Sequence, residues 1–69
     1  MNRIRVLRQQ AGLTQIELAK RIGCSQSTLS EIETGDADPK QTRLETIARA
    51  LDVPIYQLFA DPTYQREIG

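Results

Sequence analysis

Residues 25–35 read SQSTLSEIETG. Wound as an α-helix at about 100° per residue, this segment puts Leu29 and Ile32 on one side and Ser27, Ser30, Glu31 and Thr34 on the other, with Gln26 in the first turn at the edge of that polar face. Short, uncharged or acidic side chains on an outward helix face have a specific hydrogen-bonding repertoire. Gln pairs bidentately with adenine, Ser bonds several base edges, and Glu accepts from cytosine N4. Gln26, Ser27, Ser30 and Glu31 are therefore candidates for reading bases. The same residues also fit an ordinary solvated face. The segment holds no Lys or Arg, so any grip on phosphates must come from its neighbours, because base edges and phosphates are read by different residues.

The elements that position this face are marked by glycines and caps. Gly12, Gly23 and Gly35 stand where helices should stop, since glycine enters the left-handed region without a Cβ penalty. A first helix is expected over residues 2–11, with Ile4, Leu7 and Ala11 facing inward. A second follows Thr14, where T-Q-I-E places Glu17 for a capping box, and runs to Ile22 with Leu18, Ala19 and Ile22 inward. A third begins after the cap Ser25 and ends near Glu33. A fourth covers residues 41–51, with Leu44, Ile47, Ala48 and Leu51 on one face; Thr42 and Glu45 offer a second capping box there. Pro54 suits the first turn of a short fifth helix over residues 55–59. No segment alternates like a strand. The reading is all-α: a compact five-helix bundle over residues 1–60 and a short tail, 61–69. Helices two and three meet through Gly23-Cys24-Ser25, a turn tight enough to make a helix-turn-helix, whose second helix enters the major groove in proteins built that way. The N-terminus of helix two, at Thr14–Gln15, turns unpaired N–H groups and a positive dipole end toward any nearby phosphate.

Composition excludes several classes. At 69 residues the chain is one small domain. It has one Cys and no His, so neither a disulfide nor a zinc cluster is expected to staple it, and no metal or cofactor is called for. Cys24 reads as a small turn residue. Catalysis has no support: there is no glycine-rich phosphate loop and no base beside a Ser or Cys. A lone Cys and an opening of Met1 followed by charged residues point to a cytoplasmic protein without a leader. Net charge is zero, but it is unevenly distributed. Residues 1–24 hold Arg3, Arg5, Arg8, Lys20 and Arg21 against Glu17 alone, while residues 25–69 hold four basic and eight acidic residues. A local cationic region outweighs the sum, because screening confines charge effects to roughly 10 Å. Arg3 and Arg5 themselves read as solvated cations, with a phosphate role as the lesser reading.

Residues 13–35, LTQIELAKRIGCSQSTLSEIETG, resemble the helix-turn-helix motif of the phage repressor and Cro-like family, the XRE-type regulators. The flanks IRVLRQQAGLTQ and LETIARALDVPIYQLF match that family's pattern as well, so the resemblance spans about residues 2–59. It rests on Gln15, Glu17-Leu18-Ala19, Gly23, Ile32-Glu33 and Gly35 at the family spacing. The resemblance implies a five-helix domain that binds double-stranded operator DNA as a two-fold homodimer. It implies that Gln15 contacts phosphate and braces Gln26, that Thr34, Lys40 and Arg43 touch the DNA backbone, and that Arg8 pairs with Glu33 as a structural tie. It makes Ile55, Tyr56 and Phe59 candidates for the dimer surface, although the same three also fit residues that close the core; Tyr64 and Ile68 fit either an extension of that surface or a frayed end. The chain departs from the pattern in the loop after helix three: Gly35-Asp36-Ala37-Asp38-Pro39 is acidic where relatives often carry basic residues.

These features lead to a sequence-specific transcriptional regulator, a repressor by preference, and leave three alternatives open. One is an antitoxin, whose main partner is a toxin protein. Another is a protein-interaction module that has lost DNA binding. The last is the N-terminal domain of a longer repressor.

Overall fold

The computed structural model describes residues 2–59. Within them lie four α-helices: α1, Ile4–Gln10; α2, Gln15–Ile22; α3, Gln26–Thr34; and α4, Gln41–Leu51. The expected fifth helix is a single 3-10 turn, Ile55–Leu58. Its bonds run from Gln57 N–H to the Pro54 carbonyl (3.0 Å) and from Phe59 N–H to the Tyr56 carbonyl (3.2 Å). With Pro54 extended before it (ψ 151°), only four residues are wound, too few for i→i+4 pairing to outcompete the tighter pattern.

The local signals explain α2 and α3. Glu17 N–H donates to Thr14 Oγ1 (3.1 Å) and Thr14 N–H donates to Glu17 Oε1 (2.8 Å), completing the capping box. Thr28 N–H donates to Ser25 Oγ at 3.1 Å, capping α3. Gly23 closes α2 at φ +78°, and Cys24 N–H reaches back to the Ala19 carbonyl at 3.0 Å, which satisfies a carbonyl the helix leaves open. This left-handed residue lets α3 start with only three residues between it and the end of α2.

Three expectations fail for physical reasons. Ala11 is exposed, because α1 has already ended at Gln10 and the chain has turned. Asn2 lies outside α1 and works as a clamp: its Oδ1 accepts from Ile4 N–H (3.0 Å) while its Nδ2 donates to the Ile32 carbonyl (2.8 Å), tying the start of α1 to the end of α3. No Thr42–Glu45 box forms. Lys40 is already extended (ψ 162°) and α4 begins at Gln41, so Thr42 has helical backbone and cannot serve as a cap. Its carbonyl instead receives the Thr46 hydroxyl at 3.0 Å.

The core joins all four helices and the 3-10 turn. Ile4, Leu18, Leu29, Ile32, Ile47 and Leu58 are its fully buried side chains, each worth about 1.5–3 kcal/mol of transfer free energy. Leu44 lies at its margin, half-buried. Arg3 N–H donates to the Leu58 carbonyl at 2.7 Å, so the start and the end of the described chain meet. The helices are too short to persist alone, and this shared core is what holds α3 in place. The tail calls, including Tyr64 and Ile68, fall outside the described residues.

Candidate nucleic-acid interface

Helix α3 buries Leu29 (0 % exposed), Ile32 (2 %) and Glu33, and turns Gln26, Ser27, Glu31 and Thr34 to solvent, with Ser30 half-buried between them. The four base-reading candidates thus share one accessible face, with no bulky side chain among them to keep a helix from settling into a groove.

That face is anchored from within. Arg8 on α1 and Glu33 on α3 form a bidentate pair, Nε to Oε2 at 2.7 Å and Nη2 to Oε1 at 3.2 Å, with side chains 11 % and 3 % exposed. Arg8 Nη1 donates to the Leu13 carbonyl at 3.0 Å, so each of its three nitrogens has a partner and the low-dielectric site holds no orphaned charge. Glu33 Oε1 also receives Gln15 Nε2 at 3.1 Å. Gln15 Oε1 in turn receives Gln26 Nε2 at 3.2 Å. A chain of hydrogen bonds therefore runs from a buried carboxylate to the first outward residue of α3. Because Glu33 can only accept, it turns the Gln15 amide so that its oxygen faces Gln26. Gln26 then holds its own oxygen and one N–H unengaged, the donor–acceptor pair that an adenine edge complements. The expected Arg8–Glu33 tie and the Gln15–Gln26 contact are both present.

The four phosphate candidates are differently placed. Gln15 is half-buried at the N-terminus of α2, beside the N–H groups that the capping box leaves unpaired. Thr34 Oγ1 lies 3.1 Å from the Glu31 carbonyl and 3.0 Å from Asp36 Oδ2, so an acid of the following loop competes for its single proton. Lys40 is exposed at the start of α4. Arg43 is half-buried and donates Nη1 to the Ile22 carbonyl at 3.3 Å, capping the C-terminus of α2. Gln15 and Thr34 border a cleft between α1 and α3 whose floor is the Arg8–Glu33 pair. Lys40 and Arg43 line a separate groove with Thr28 and Asp38. Of the dimer candidates, Tyr56 and Phe59 are 62 % and 53 % exposed, while Ile55 packs against the core. The Glu17 carboxyl is held below its usual range, first by the Thr14 backbone N–H, then by the Thr14 hydroxyl, with a smaller effect of Arg21.

The helix-turn-helix family model matches residues 4–58. The chain belongs to the helix-turn-helix family. The fold agrees: this helix-turn-helix chain superposes on the crystal structure of a hypothetical transcription factor, NHTF, from Neisseria with a TM-score of 0.84 at 29 % identity, over 94 % of this chain and 73 % of that one. It is 42 % identical over 57 residues to antitoxin HigA1 of Mycobacterium tuberculosis, covering 83 % of this chain and 38 % of the antitoxin. It is 32 % identical over 65 residues to the immunity repressor protein of Bacillus phage phi105, covering 94 % of this chain and 45 % of the repressor. The helix-turn-helix chain thus spans less than half the length of either curated relative. Among its described residues, no helix is long and apolar enough to cross a membrane.

Proposed function

We propose that this chain is a sequence-specific DNA-binding repressor that lays α3 in the major groove and pairs with a second copy on a two-fold operator. The observation that carries this reading is the anchored polar face: Gln26 is presented outward by a hydrogen-bond chain that ends on a buried ion pair. Gln26, Ser27, Ser30 and Glu31 choose the bases. Gln15, the N-terminus of α2 and Thr34 hold one phosphate strand at the α1–α3 cleft, and Lys40 and Arg43 add contacts from the separate groove they line. Tyr56, on the 3-10 turn, and Phe59, which follows it, are both exposed and carry the pairing of copies. The 32 % identity to a phage immunity repressor supports repression as the outcome.

Selection of bound sites from random duplex DNA tests this reading. The expected result is two related half-sites with centres about 34–36 Å apart. Gln26→Ala and Ser27→Ala should each relax preference at one position of the half-site, by about 1–3 kcal/mol, with unchanged circular dichroism. A protein that enriches no sequence would end the proposal.

The identity to antitoxin HigA1 favours a second reading, in which the same domain also holds a toxin protein. A small basic protein that co-purifies with the chain would support it.

A further inference from the structure

The recognition face lacks cations, and the structure leaves few nearby. Arg8 is consumed by Glu33 and the Leu13 carbonyl. Arg43 caps α2. Lys20 and Arg21 lie in the last turn of α2, away from the N-terminal end that faces the cleft. Arg5 is different: it is exposed on α1, it has no hydrogen-bond or ion-pair partner among the described residues, and it borders the same cleft as Gln15, Ser30 and Thr34. Two of the phosphate candidates and one base-reading candidate therefore share a rim with one unengaged guanidinium.

We propose that Arg5 supplies a phosphate contact in the protein–DNA complex, gripping the strand that passes over the α1–α3 cleft while α3 occupies the groove. The proposal rests on the DNA-binding reading above and deepens it. The cleft is where a cation is most needed. Glu31 projects from the exposed face of α3, and Asp36 approaches Thr34 at 3.0 Å; both carboxylates repel a passing phosphate. The guanidinium offers a planar fork matched to phosphate oxygens, and its exposed position leaves it the freedom to find them. Thr34 gains from the same arrangement, because a phosphate held by Arg5 offers its hydroxyl an acceptor other than Asp36. Arg5 thus answers a deficit that the sequence of α3 creates, and it does so from a different helix.

The experiment measures affinity against salt for the full chain, on the selected site and on scrambled duplex. The variants are Arg5→Ala, Arg5→Gln and Arg5→Lys, with Arg49→Ala, an exposed cation in the last turn of α4, as the control. If Arg5 holds a phosphate, Arg5→Ala and Arg5→Gln weaken binding roughly tenfold at low salt and by similar factors on both duplexes, and the slope of log affinity against log salt becomes shallower by about 0.9. The loss at 50 mM salt then exceeds the loss at 200 mM by about 3.5-fold. Arg5→Lys keeps the slope, and Arg49→Ala changes neither quantity. An unchanged slope in Arg5→Ala overturns the inference, as does an altered base preference, which would make Arg5 a base reader. Failure of the unmodified chain to bind any duplex would instead remove the DNA-binding reading, so the two failures are distinct.

Discussion

The two ends of α3 are built differently. At its start, Gln26 is fixed through Gln15 to the Arg8–Glu33 pair, with every link between 2.7 and 3.2 Å. At its end, Glu31 has no side-chain partner among the described residues, and Thr34 is drawn toward its own loop by Asp36. The first arrangement pre-orders a donor–acceptor pair before any ligand arrives, so little rotamer entropy is lost on binding. The second leaves an unengaged negative charge, which penalises every sequence that fails to meet it with a donor. On the proposed DNA-binding reading, one helix thus combines a braced residue that favours the right base with a free one that disfavours wrong bases.

Breaking the shared anchor should give the largest effect. Glu33→Ala leaves Arg8 buried without its partner, and should cost about 3–5 kcal/mol in urea denaturation. A loss below about 1 kcal/mol would show that the pair is hydrated and the brace loose. Next, Gln15→Ala and Glu31→Gln should act in opposite directions. Gln15→Ala costs about 1 kcal/mol of stability or less, yet lowers affinity and blurs preference at the base that Gln26 meets. Glu31→Gln leaves stability within about 0.5 kcal/mol, raises affinity for all duplexes, and flattens discrimination at its own position. Site selection on both variants reads this directly, and identical profiles would erase the distinction between the two ends.

The smallest effect concerns the cap that starts α2. The Glu17 carboxyl is held below its ordinary value by Thr14. Its contribution is therefore complete above that ordinary value, near 4.5, and is lost as pH falls through the lower folded value. The difference in thermal midpoint between the unmodified chain and Glu17→Gln should be present at neutral pH and shrink to nothing in strong acid. A difference that persists there would assign the cap to geometry rather than charge.

What could be read in the sequence was what is encoded locally. Thr14 with Glu17, Ser25, Gly23 and Gly35 each satisfy orphan backbone groups within a few residues, so the bounds of α2 and α3 follow from types and spacing alone. Leu29 and Ile32 then orient the face. The end of α4 carries no such mark, because Asp52 takes the left-handed position (φ +59°) that glycine holds at the ends of α2 and α3. The fifth element was visible as a segment but not as a 3-10 turn, since Pro54 fixes where winding begins and not how tightly it proceeds. Asn2 bridges 30 positions to the Ile32 carbonyl, and Arg43 bridges 21 to that of Ile22; periodicity contains nothing about either. The Arg8–Glu33–Gln15–Gln26 chain was legible only through the family resemblance, because its members are far apart in sequence and meet only once the core has formed.

The bond from the Arg3 N–H to the Leu58 carbonyl has a kinetic meaning. Helix ends usually fray independently, and their amides exchange with solvent in shallow local openings. Here the amide proton just ahead of α1 is locked by the farthest turn of the domain, so its exchange should track the cooperative opening of the whole fold.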